Sequence, residues 1–337
     1  MPRNDFIASL HGLRGIAVLY VVFSHIGNAG MALVPLPHNA VGKVGVWIFF
    51  GLSAYLLTTK LRDQLAVSAA PGTIGRYFVH RVFRIYPLFI LVLLTHMAVG
   101  DMTASSVVRH LALIEGQGEL WAISTEFQFY VVLPLLALAP RRVALAACAA
   151  MLAAALAYGV TSPDAVFSNG LLLLPKAAPF ALAAMFAIWR PVCRFGLASG
   201  LLGLALLMAC TVAYRHLYVA AAPPTWITPW LGVAIGIAVC ALILAAIQPG
   251  AFQRLLSARW LVWIGEISFS LYLLHMFVVR AVQTLQAPSY VAGWLALAGA
   301  VALASLTYRL IEEPGIRAGR AVADRIGLSP RASAETM

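Results

Sequence analysis

Apolar residues fall in long, nearly unbroken blocks along this chain. They do not form the narrow stripes of a water-soluble fold. A template of about 20 mostly apolar residues per membrane crossing fits about ten blocks. They lie near residues 12–30, 42–60, 83–100, 119–139, 143–159, 171–189, 197–215, 228–247, 259–280 and 290–310. Polar and apolar residues do not alternate within them, as barrel strands would require. In lipid, every backbone N–H and C=O must be bonded inside the protein, which leaves helices. The pattern predicts an all-α, polytopic integral membrane protein with about ten transmembrane helices.

Composition agrees. Of 337 residues, 62% are hydrophobic and 10% charged. A soluble domain carries about 25% charged residues, so too few polar side chains exist here to coat a water-facing globule. The net charge of +11 would suggest nucleic acid in a soluble protein. Here the basic residues cluster between blocks. With a cytoplasmic N-terminus, the inner segments hold Arg3, Lys60, Arg62, Arg76, Arg81, Arg84, Arg141, Arg142, Arg190, Arg194, Arg254 and Arg259. The outer ones hold Lys43, Arg109, Arg215 and Arg280. That bias is a topology signal, and it predicts that both termini are cytoplasmic. The partner implied is the lipid bilayer, with no nucleic acid. Residues 1–315 are expected to form one membrane domain, and 316–337 a short basic cytoplasmic tail. Cys148, Cys193, Cys210 and Cys240 form no C-x-x-C pair and are read as small core hydrophobes, with no metal site. The run Ile16–Phe23 has the length of a leader core. It is followed at once by a second apolar block, so a retained first span is expected.

Ionisable groups inside spans are costly and mark function by default. They are Arg14, His25, His96, Glu126, Lys176, Glu266 and His275. Lys176 is expected to snorkel outward, and His96 to lie near an outer end. Arg14 and His25 are eleven residues apart, which puts both on one helix face with a rise of about 16 Å between them. One face therefore carries a fixed cation low in the span and a titratable base higher up. An acyl-coenzyme A donor suits that layout, with phosphates at one end and a thioester at the other. His25, Glu126 and His275 are expected in the outer half of the bilayer. Glu266 is expected deeper and on the face opposite His275. Glu126 is thus the preferred carboxylate partner for a histidine. Such a partner orients an imidazole and raises its basicity. Neutral imidazole is a suitable general base for a hydroxyl attacking a thioester. The cluster His80, Arg81 and Arg84 before Tyr86-Pro87 reads equally as positive-inside anchoring or as a phosphate clamp.

Several segments, in order, resemble the acyltransferase 3 family of membrane acyltransferases. Leu10-His-Gly-Leu-Arg-Gly through Ser24-His25 is similar to its opening Arg-x10-His span. Phe49-Phe-Gly-Leu-Ser-Ala-Tyr-Leu-Leu57, Arg81-Val-Phe-Arg-Ile-Tyr-Pro87, Leu120-Trp-Ala-Ile-Ser-Thr-Glu-Phe-Gln-Phe-Tyr130 and Ile264-Gly-Glu-Ile-Ser-Phe-Ser-Leu-Tyr-Leu-Leu-His275 follow, and Glu312-Glu-Pro314 resembles its close. The family commonly has two acidic residues before Gln-Phe-Tyr, where this chain has Glu126-Phe127. The resemblance implies O-acylation, often O-acetylation, of lipopolysaccharide, exopolysaccharide or other glycans at the bacterial cytoplasmic (inner) membrane. Acyl-coenzyme A, normally acetyl-coenzyme A, would be the donor, and a glycan or lipid-linked sugar the acceptor. His25 and Glu126 are the expected catalytic groups. Arg14, Arg81 and Arg84 are expected to hold the donor, and Ser24, Tyr86, Tyr272 and His275 to contact substrate. Two other readings stay open: acylation of a small secondary metabolite such as a macrolide, and proton-coupled export of a glycan or metabolite through the same His and Glu residues.

Overall fold

The computed structural model describes residues 7–35, 38–68, 70–190, 196–219 and 227–327. Cys193, Arg194, Arg3 and the last ten residues of the expected tail lie outside them. All regular structure among the described residues is helical.

Among the described residues, eight helices are long and apolar enough to cross a bilayer. In chain order, α1 (Ala8–Asn28), α2 (Gly42–Leu65) and α3 (Ala70–Ala98) are followed by a short α4 (Ala104–Leu111). Then come α5 (Trp121–Leu138), α6 (Arg141–Thr161), the single turn α7 (Pro163–Val166) and α8 (Ala177–Trp189). The remainder is α9 (Gly196–Val219), α10 (Thr228–Ile247), α11 (Ala251–Leu256), α12 (Arg259–Glu266), α13 (Ser268–Gln283), α14 (Ser289–Thr307) and α15 (Glu313–Gly327). A π-helical turn, Tyr308–Glu312, joins α14 to α15.

Two of the expected spans are irregular. The block near 259–280 is α12 plus α13, bent by 75° at Ile267. The block near 171–189 is a short apolar helix, Leu174–Trp189. At about 1.5 Å per residue it falls short of the roughly 30 Å hydrocarbon core. Its ends still reach both levels of α2. Lys43, at the start of α2, donates to Asn169 (2.5 Å) just before it, and Arg190, just after it, pairs with Asp63 near the end of α2 (2.5 Å). It packs on α2, α6 and α10 and is buried by them, so protein covers what its own length would not. Counting the bent pair as one span, nine helical segments among the described residues are long and apolar enough to cross, and the short Leu174–Trp189 helix occupies the remaining expected block. The starts of α1 and α3, the end of α2, and α15 share the walls of adjoining cavities at one end of the bundle.

At the centre is α1, surrounded by α2, α10, α11, α12, α13 and α14. The apolar side chains of α9 (Leu197, Leu201, Leu202, Val212) stay exposed, as a lipid-facing helix requires. Without a hydrophobic drive between helices in lipid, close packing at small residues holds a bundle together. The tightest such contact joins α1 to α11 and α12. A Cβ on Gly265 would fall 1.8 Å from the carbonyl oxygen of His11, and one on Gly12 would fall 1.8 Å from that of Leu256.

From Glu313 to Gly327 the chain forms helix α15, packed along α3. At the opposite end, Asp101 accepts hydrogen bonds from His96 (3.0 Å) and Arg280 (2.6 Å), tying the loop after α3 to α13. His96 first, and Arg280 after it, hold the Asp101 carboxyl below the usual aspartate range.

Gly265→Leu should destabilise the protein by at least about 1–3 kcal/mol, because overpacking here meets backbone. Gly72→Ala, with open space around it, should change little; thermal unfolding in detergent compares the two. Because the Asp101 pKa is depressed on folding, its contribution exists above the ordinary value of about 3.9 and fades as pH falls through the folded value. The gap in melting temperature between wild type and Asp101→Asn should therefore shrink as pH drops below about 4. A gap that is constant with pH would contradict the assignment.

Candidate active site

The Arg14–His25 spacing on α1 works as read: both side chains turn toward α13. Arg14 shares a central cavity with Ser268, Phe269 and Tyr272 of that helix. Higher up, His25 Nδ1 lies 2.7 Å from His275 Nε2, with the two rings stacked at 4.8 Å between centroids. His275 is fully buried. Its Nδ1 faces the carbonyl oxygens of Tyr272 (2.8 Å) and Leu271 (3.2 Å).

That network fixes protons. Carbonyls only accept, so His275 Nδ1 carries its hydrogen and Nε2 of the neutral ring holds a lone pair. His25 Nδ1 must then donate to it. The bare nitrogen of His25 is Nε2, and it is free to take a proton. His275 was expected to touch substrate; instead it stands behind His25 and assigns its tautomer.

Glu126 was expected beside a histidine, and it is not. Tyr272, one turn below His275, donates to the carbonyl of Glu119 (2.6 Å). Glu126 is seven residues further along the chain, about 10 Å deeper. It lines the central cavity with Arg14, Phe49 and Ser53. Its Oε1 accepts from Ser53 Oγ, in a short hydrogen bond, and from Tyr130 Oη (2.5 Å). The phenylalanine that replaces the family's second acid, Phe127, packs edge-on against Tyr86. The face arithmetic for Glu266 also fails, because it assumed one straight helix across the bend at Ile267.

Two expected contacts are structural. Ser24 is buried, and its Oγ accepts from the backbone N–H of Val41 (2.9 Å), pinning the α1–α2 connection. Tyr86 donates to the Leu111 carbonyl (3.1 Å), bracing α3 against α4. Lys176 does not snorkel. It is buried, donates to the Gly170 carbonyl (2.8 Å) and sits 5.3 Å from the centre of the Trp121 ring, which Lys43 approaches to 4.8 Å. No long-range pattern in the sequence marks that cluster.

Arg14, Arg81 and Arg84 are brought together. All three line a cavity of about 480 Å³ at the end of the bundle that holds the start of α1, with Lys60, Asp63 and Gln64. A second cavity of about 360 Å³ shares Lys60, Arg81 and Arg84 with it. Arg81 Nε is buried with no hydrogen-bond partner among the described residues. Arg84 lies 3.4 Å from buried Glu312, which also accepts from Ser270 Oγ (2.6 Å). Arg14 lines both the larger cavity and the central one, whose wall includes Tyr272. The His275 ring lies 6.2 Å beyond the Tyr272 ring. A basic vestibule, a narrow waist and an imidazole pair thus follow one another along α1. His/Cys/Asp/Glu groupings able to hold a metal ion are absent among the described residues.

Known proteins match this chain along most of its length. The family described as "Acyltransferase domain" (acyltransferase 3) matches residues 7–309. Acyltransferase MdmB of Streptomyces mycarofaciens is 28% identical, over 92% of this chain and 89% of that protein. Nodulation protein 10 of Rhizobium leguminosarum bv. viciae is 26% identical, over 94% of each. No solved structure matches. The chain belongs to the acyltransferase 3 family and is a membrane-embedded acyltransferase.

Proposed function

We propose that the protein moves an acyl group, normally acetyl, from acyl-coenzyme A to a hydroxyl of a cell-surface glycan or lipid-linked sugar in the bacterial cytoplasmic membrane. The donor enters from the cytoplasmic, Arg-rich end. Its phosphates rest against Arg81 and Arg84, and its acyl arm passes Arg14 toward His25. The positive-inside bias and the cation-lined vestibule support that direction.

One observation carries the chemistry: the His25–His275 pair leaves His25 Nε2 as a bare base beyond the waist. The acceptor O–H gives its proton to that nitrogen as its oxygen attacks the thioester carbonyl. The C–S bond breaks, and the departing thiolate takes the proton back from His25. The products are an ester and free coenzyme A, and no proton is gained or lost overall. Glu126 supplies negative charge beside Arg14, and its Oε1 holds Ser53 and Tyr130 in place.

With acetyl-coenzyme A and a glycan acceptor, wild type should release free thiol. His25→Ala should lose about 10²–10⁴-fold in kcat; full activity in that variant would end the mechanism. His275→Phe removes the acceptor that holds the His25 tautomer and should also lose about 10²-fold or more. His275→Gln, which can still accept, should recover part of the loss. Equal activity of the Phe and Gln variants would sink the tautomer argument. Glu126→Gln keeps an oxygen to accept from Ser53 and Tyr130 but removes the charge. A fall of about tenfold or more in kcat, corresponding to ~1.4 kcal/mol, is expected at unchanged melting temperature.

A further inference from the structure

The C-terminal helix closes the donor vestibule. It approaches α3 so closely that a Cβ on Gly319 would lie 2.6 Å from Phe83 Cβ, and one on Gly315 would lie 2.8 Å from the Phe83 carbonyl oxygen. Those two glycines are four residues apart and form one stripe, which fixes how α15 is turned about its axis. Ile316 and Arg320 follow them by one residue, about 100° round the helix. Both line the 360 Å³ cavity, opposite Lys60, His80, Arg81 and Arg84. Arg317 points elsewhere and pairs with Glu313 (2.6 Å).

Among the described residues, no aspartate or glutamate lines this cavity. Arg84 has buried Glu312 3.4 Å away, and Asp324 lies within electrostatic reach of His80; the lining is still predominantly basic and suits an anionic ligand. The position of Arg320 says which one. The adjoining 480 Å³ cavity includes Arg14 and leads inward, whereas Arg320 lines only the cavity that lacks Arg14. A donor threaded past Arg14 has its reactive end there. Its pyrophosphate falls at the shared residues Arg81 and Arg84, and its far end meets Arg320. That far end in coenzyme A is a phosphomonoester. Such a group carries close to two charges at neutral pH and matches the forked donors of a guanidinium.

Resting on the coenzyme A reading above, we propose that Arg320 of α15, with His80 facing it across the cavity, binds the 3′-phosphate of coenzyme A. The C-terminal helix would then select coenzyme A thioesters over carriers that lack that phosphate.

Binding of coenzyme A and of 3′-dephospho-coenzyme A to the full chain in phosphatidylcholine nanodiscs tests this. Wild type should prefer coenzyme A. Arg320→Ala should weaken coenzyme A about tenfold and leave 3′-dephospho-coenzyme A unchanged, erasing the preference. Arg320→Lys should restore part of it. Equal losses for both ligands, or no loss for either, would overturn the assignment while leaving the donor reading intact. Failure of wild type to bind either ligand would instead remove the donor reading, and this one with it. An anionic lipid headgroup offers similar chemistry. If phosphatidylglycerol displaced coenzyme A from wild type but not from Arg320→Ala, the cavity would be a lipid site and the proposal would fail.

Discussion

Helix α1 lies backbone to backbone against α11 and α12, and the site depends on that contact. Gly12 faces the Leu256 carbonyl, and Gly265 faces the His11 carbonyl; no side chain intervenes. Lipid tails give helices no apolar reason to associate, so closeness of approach and matched surfaces must hold them. The contact clamps the lower half of α1 to α12 and sets where the chain breaks at Ile267. Helix α13 then starts in a new direction, alongside Arg14 below and His25 above. A bulkier residue at Gly265 would move the origin of α13, and with it the imidazole that stands behind His25.

Charge along the path is managed group by group. At the wide end of the path the lining is rich in cations, and Arg84 has a buried carboxylate, Glu312, close by. At the waist, Arg14 shares its cavity with Glu126, whose hydrogen-bond donors are the neutral hydroxyls of Ser53 and Tyr130. Beyond the waist, the two imidazoles satisfy one another and the backbone. Cationic side chains gather at the wide end, and the imidazole pair lies beyond them.

Much of this was legible in the sequence, for physical reasons. Hydropathy blocks located the membrane helices because lipid punishes polar backbone uniformly. The Arg14–His25 register followed from helix geometry within one unbroken element. Reasoning failed where it crossed elements or assumed straightness. The His25–His275 contact joins residues 250 apart in sequence. The depth of Glu126 was underestimated: Glu119 stands level with Tyr272, and Glu126 lies seven residues further in. Glu266 was placed by arithmetic that a bend invalidates. Arg317 and Arg320 looked alike as tail charges. Only the Gly315–Gly319 stripe against Phe83 distinguishes them, because it turns Arg320 into the cavity.

The imidazole relay ends on peptide oxygens, those of Tyr272 and Leu271. A carbonyl has no proton to hand on and does not hold one at accessible pH. Charge delivered to His25 therefore meets a closed end, not a conduit, and must return the way it came. That would matter in a membrane that carries a proton gradient. A through-running histidine chain would offer protons a route across it, whereas a pair that ends on peptide carbonyls offers none.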